Sequence, residues 1–284
     1  MPRIILGNRG GTLALPQARN VLAELSEVWP DINFSQKTVR GDHAEPLLEA
    51  LSTGRVNIAL QSLEALPPHL PEGLVLAAVT KRLEPRAALV SKGAKNLASL
   101  AVGSTVGVHS PRDRAFLLVS RKDLLVVDMP NDINVSLERL ALGEVDALIL
   151  PSAYLLQLGQ RERIGAPLDP AVFTPAVGQG SLGLVVQKED DLATDLTYTL
   201  QHRPSFDRAR AERSFAKSLQ ALPTQEIGAL ATVTSEGELN LFGAVTDRDG
   251  ALVIQAETSG EASEAEELGR ELAQDILEQL EQYT

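Results

Sequence analysis

"TPAVGQGSLGLVVQK" (Thr174–Lys188) is the stretch on which the fold turns. Its proline and glycines read as a turn, and the apolar run Leu182–Val186 reads as a short buried strand. Upstream, two separate stretches each alternate strand and helix. A strand arriving this late is expected to cross back and rejoin the first of them. A chain that leaves one α/β unit, builds a second and returns makes two lobes with a cleft between them.

The first stretch opens with the apolar run Arg3–Gly7 and the Gly-rich turn "GNRGGT". An amphipathic helix follows, with Leu15, Ala18, Leu22 and Leu25 on one face. "NFSQKTV" (Asn33–Val39) reads as a strand, Pro46–Leu51 as a short helix and Val56–Gln61 as a third strand. That order favours a parallel sheet whose ligands sit at the carboxyl ends of its strands. "LEPRAAL" (Leu83–Leu89) leads into the second stretch. There "GSTVGVHSPRDRAFLL" reads as strand, turn and helix, "LLVVDMP" as a strand, "DINVSLERLALG" as a helix and Val145–Leu150 as a strand. Pro151 suits the first position of the next helix. After "HRPSFDRARAERSFAKSLQ" (202–220) the pattern changes. Gly228–Glu257 reads as three strands with turns at Glu236-Gly237 and Asp249-Gly250. Ser263 and Glu266 form a capping-box pattern opening a long helix with Ala265, Leu268, Leu272, Ile276 and Leu280 on one face. The expected fold class is α/β, with a small C-terminal α+β domain. The expected domains are 1–85 plus 176–204, then 86–175, then 205–284.

Lys and Arg number 26 against 38 Asp and Glu, a net charge of −12 among 284 residues. So acidic a surface argues against nucleic acid or anionic membrane as partner. The chain has no cysteine, which removes disulfides, thiolate metal sites and thiol nucleophiles together. Four scattered histidines suggest no metal site. No signal-like or membrane-spanning run stands out, so a cytoplasmic protein is expected.

Three groups of polar residues invite a ligand reading. Arg9 stands on the turn after the first strand, where a guanidinium clamps a carboxylate well. Ser110, Arg112 and Arg114 open the helix at the equivalent strand end of the second stretch, although Asp113 neutralises part of that charge. Arg208, Arg210 and Arg213 lie in "RARAERSFAK", which by itself reads as a solvated helix face paired with Asp207 and Glu212.

Taken in order, "GNRGGTLALPQA", "TVRGD", "LEPRAAL", "GEVDALIL", "TPAVGQGSLGL" and "RARAERSFAKSL" resemble the porphobilinogen deaminase family, also called hydroxymethylbilane synthase, over essentially the whole chain. The resemblance implies two lobes like those of periplasmic binding proteins plus a third domain. It implies a family that joins four porphobilinogen units head to tail with loss of ammonia, in tetrapyrrole (heme) biosynthesis. It also implies a dipyrromethane cofactor on a cysteine thioether, an aspartate at the pyrrole N–H, and arginines on the acetate and propionate carboxylates. Carried over by position, Arg9, Gln17, Ser62, Arg112, Gln179 and Arg213 are the candidate ligand-binding residues.

The departures are as definite. Where the family reads Ser-Met-Lys-Asp-Val-Pro, this chain reads Ser62-Leu63-Glu64-Ala65-Leu66-Pro67, so Ala65 stands at the catalytic aspartate position. Leu63–Ala65 reads as a strand-like segment, so Glu64, which could otherwise stand in, points to the face opposite Ala65. Asp113, Pro130, Ser136 and Gln157 stand at family arginine positions, and the lysine-bearing loop after "RGD" is shortened to "HAE". Pro223 stands at the cofactor cysteine position, beside Thr224. The expectation is therefore no intact catalytic group, no cofactor, and loss of hydroxymethylbilane synthesis. The partner would be a small anionic ligand such as porphobilinogen or another pyrrole carboxylate, or a protein. Two alternatives stand beside it: an active divergent synthase with a non-covalently held primer, and an interaction protein with a vestigial cleft.

Overall fold

The computed structural model describes every residue except Met1, Asp42, Ala166, Ala221, Pro223, Thr224 and Thr284. The elements run β1 (Arg3–Asn8), α1 (Gly11–Val28), β2 (Asn33–Thr38), α2 (Glu45–Ser52), β3 (Ile58–Ser62), β4 (Leu74–Val79), β5 (Ala87–Ser91), β6 (Thr105–Val108), α3 (Pro111–Ser120), β7 (Leu125–Asp128), α4 (Ile133–Leu142), β8 (Ala147–Pro151), α5 (Ser152–Gln157), β9 (Leu182–Gln187), α6 (Asp191–Tyr198), α7 (Arg203–Ser218), β10 (Gln225–Val233), β11 (Glu238–Asp247), β12 (Val253–Glu261) and α8 (Ala265–Glu281). Two compact units divide them: residues 1–83 with 181–209, and residues 84–180 with 210–284.

The first unit holds a five-stranded sheet in the order β2-β1-β3-β9-β4. The opening stretch of sequence does rejoin it, as β9. It enters antiparallel to both neighbours, Ala59 opposite Val185 and Leu76 opposite Val185, so the sheet is mixed rather than parallel. β9 is buried on both faces. Val185 joins the core of α2, with Leu47, Leu48, Leu51 and Leu63. Leu184 and Val186 join that of α1, with Leu6, Ala18, Leu25 and Leu60. A strand covered by helices on both faces needs a continuous apolar run, not an alternating one, and that is what Leu182–Val186 is.

The second unit holds two sheets. The order β5-β8-β6-β7 is mixed, with β5 antiparallel to β8 and the rest parallel. Its core gathers Leu89, Val106, Val108, Phe116, Ile149 and Phe173. β10-β11-β12 is an antiparallel meander packed on α7 and α8 through Phe215, Leu219, Leu241, Leu272 and Ile276. The α/β class and the small C-terminal sheet with its helix are thus as the sequence reads.

Two local readings differ. Pro151 closes β8 rather than opening a helix, and α5 starts at Ser152. The Ser263–Glu266 capping box does not form. Ala262–Glu264 is a 3₁₀ turn, and α8 begins behind Glu264 with no side-chain cap. The apolar face Ala265, Leu268, Leu272, Ile276 and Leu280 is buried as expected, so packing decides this helix rather than its cap. Among the described residues, no helix is long and apolar enough to cross a membrane.

Candidate functional site

In the first unit, β1 and β3 run parallel, with Gly7 opposite Ala59. Their carboxyl ends therefore share one edge of the sheet, and Arg9 and Ser62 follow those ends. Asn8, fully buried, builds the turn: its Oδ1 accepts from Gly10 N at 2.9 Å. Arg9 Nη2 donates to Gly41 O at 3.2 Å. Gln17 is buried in α1. Leu63–Ala65 is a 3₁₀ turn, not strand, closed by Leu66 N donating to Leu63 O at 3.1 Å. This corrects the opposite-face expectation for Glu64. At three residues per turn, successive side chains point about 120° apart. Leu63 takes the core direction at 1% exposure, while Glu64 and Ala65 are both half-buried and Glu64 Oε2 is buried. A carboxylate is thus present one residue from where Ala65 lacks one.

Two residues on this edge escaped the sequence reading. Asn8 Nδ2 and both amide atoms of Gln61 are buried and have no hydrogen-bond partner among the described residues. Buried amides without partners are rare and costly. No sequence pattern flags Gln61, which reads as the polar end of an apolar strand. Gln61→Leu is expected to raise the stability of this unit by about 1–3 kcal/mol, the desolvation cost of unpaired amide atoms. Urea unfolding followed by Trp29, the one tryptophan of the chain, measures it; a lowered midpoint would show that Gln61 stabilises the fold.

In the second unit, Ser110 caps α3, accepting from Asp113 N at 3.1 Å. Arg112, 8% exposed, donates to Thr174 O and to Asp113 Oδ1. It lies 5.4 Å from the ring centroids of both Phe116 and Phe173. Nearby, His109 Nε2 and Ser136 Oγ are 2.8 Å apart. Burial pushes the imidazole below its ordinary value near 6.5, against the pull of Asp113. Where the resemblance implies a second arginine beside Arg112, Asp113 pairs with it instead, and Ser136 at another such position meets His109.

Gln179 Oε1 accepts from Ala176 N at 3.2 Å and its Nε2 donates to Pro85 O. Of the α7 arginines, Arg210 pairs with Glu266 at 3.2 Å. Arg213 is half-buried, and desolvation lowers its pKa. Glu212 is not on a solvated face: it is fully buried and accepts from two backbone N–H groups. Pro223 lies outside the described residues.

Within the first unit, Arg9 suits a carboxylate, and the buried amide groups of Asn8 and Gln61 suit a polar heterocycle held by contacts alone. They do not fit a thioether, because the chain has no sulfur but that of methionine.

Residues 4–195 match the family model "Porphobilinogen deaminase, dipyromethane cofactor binding domain". Residues 206–278 match "Porphobilinogen deaminase, C-terminal domain". The chain is 43% identical to the porphobilinogen deaminase of Thermus thermophilus, over 97% of this chain and 96% of that protein. It is 38% identical to that of Deinococcus radiodurans, over 98% and 96%. Among solved structures, it is similar to a periplasmic substrate-binding protein of an ABC transporter from Coxiella burnetii. That likeness has a TM-score of 0.48 at 19% identity, over 74% of this chain and 96% of that one. The expectation of no cofactor is overturned here, since the domain matched over residues 4–195 is the dipyrromethane-binding one. With both of its domains matched and its relatives aligned nearly end to end, this chain belongs to the porphobilinogen deaminase family.

Proposed function

We propose that this protein condenses porphobilinogen units with loss of ammonia, as a hydroxymethylbilane synthase whose dipyrromethane is held without a covalent bond. The observation that carries this reading is 43% identity over 96% of a named porphobilinogen deaminase in a chain without cysteine. Dipyrromethane, when bound, supplies the primer that the family extends. Arg9 serves a carboxylate. Glu64 serves as the carboxylate that orders a pyrrole N–H and offsets positive charge on the ring, work that positioned groups do best in a water-poor setting.

A second reading has the chain bind pyrrole carboxylates without condensing them. Ala65 and the closed Arg112–Asp113 pair favour it. Incubating the purified protein with porphobilinogen separates the two. The synthase reading expects ammonia and porphyrin-forming product well above the uncatalysed rate. Bound porphobilinogen with no such product would leave only the second.

A further inference from the structure

Thr174–Gly180 is gripped by charged side chains at both ends. At one end Arg112 donates to Thr174 O. The charge of Arg112 is matched by Asp113, and the rings of Phe116 and Phe173 lie over it. At the other end the Glu212 carboxylate spans two partners, accepting from Gly178 N at 2.6 Å and Ala231 N at 2.7 Å. Glu212 is fully buried, so each of these is a charge-assisted bond in a low-dielectric setting. Between the grips, Ala229 N donates to Pro175 O at 3.0 Å. A Cβ on Gly228 would come within 2.8 Å of Thr174 Cβ, so β10 lies directly against the segment. Gly178 takes φ +78°, the left-handed region that a glycine enters without strain. That conformation turns its N–H to Glu212 and delivers Gln179, 2% exposed, to Pro85 O.

We infer that Arg112 and Glu212 are positioning residues which fix this strap and, through it, Gln179, and that neither meets the ligand. The functional half of the inference rests on the proposed synthase reading and on Gln179 as one of the ligand-binding positions that the resemblance implies. It assigns Arg112 differently from its carried-over role, because a guanidinium already matched by a carboxylate and flanked by two rings has little charge left to offer.

Amide hydrogen exchange tests the grip. In the wild type, the Gly178 and Ala231 amides should exchange far more slowly than that of the exposed turn residue Ser235; equal rates would overturn the inference without any variant. Glu212→Gln keeps one acceptor and loses the other. Exchange at Gly178, Gln179 and Ala231 should rise about tenfold or more, the loss of one charge-assisted bond, with β11 unchanged. Unaltered exchange at all three would contradict it. With porphobilinogen, Glu212→Gln and Arg112→Met should raise KM about tenfold for the same reason while kcat changes little. A loosened strap with unchanged KM would sink the link to Gln179. Weakened binding in Arg112→Met with the strap still protected would return Arg112 to the ligand. If the wild type forms no product, the synthase reading falls, while exchange still decides the grip.

Discussion

Glu64→Gln should lower the rate of product formation from porphobilinogen by about 10²–10⁴-fold, the usual worth of a positioned acid–base group. The substitution keeps the shape of the side chain and removes only its charge. Glu64 is half-buried on a turn closed by backbone bonds and by Leu63 in the core, so the fold should tolerate the change with a thermal midpoint close to wild type. The same geometry gives a rescue. Ala65, the next residue of the turn, is half-buried as well. Adding Ala65→Asp to the Glu64→Gln variant should therefore restore a large part of the rate. A Glu64→Gln protein with wild-type turnover would remove Glu64 from the chemistry.

Phe215→Ala should cost about 3–5 kcal/mol, the range for deleting a fully buried aromatic ring. Phe215 is 0% exposed and joins α7 to α8 and to the C-terminal sheet. The ring sits so close to β11 that a Cβ on Gly243 would come within 2.6 Å of Phe215 Cζ and 2.9 Å of Leu272 Cδ2. Gly243→Ala alone should therefore cost about 1–3 kcal/mol by overpacking. The double variant should lose clearly less than the sum, because removing the ring opens the space the methyl needs, and residues in contact couple by about 0.5–3 kcal/mol. Far-UV circular dichroism in urea reads the effect. Trp29 fluorescence reports residues 1–83 with 181–209 and should barely respond. Strict additivity would mean that the ring is not what crowds Gly243.

The sequence was most legible where one pattern met one environment. The continuous apolar run Leu182–Val186 told of a strand covered on both faces, and helix periodicity in Ala265–Leu280 told of one buried face. Direction was not legible: nothing in Leu182–Val186 says that β9 enters antiparallel, because a strand buried on both faces looks the same either way. Nor are β4 and β5 legible. Leu74–Val79 and Ala87–Ser91 are short and flanked by turn residues, and only pairing with β9 and β8 makes them strands. At the site, charge was counted correctly but placed wrongly. Glu212 looks like a solvated partner for Arg210 or Arg213, yet it serves two backbone amides across 34 and 19 residues of chain. Strand geometry turns Glu64 away from the Ala65 side, and a single 3₁₀ turn removes that opposition. Gln61 carries no local signal, since an orphaned amide exists only once the fold has closed around it.

Paired native and denaturing mass spectrometry of protein taken from cells that make porphobilinogen decides most directly how the primer is held. A protein that binds dipyrromethane by contacts alone shows the added mass under native conditions and the bare chain mass once unfolded. An adduct that survives denaturation, or a bare mass in both conditions from a protein that nonetheless turns over porphobilinogen, would contradict this account.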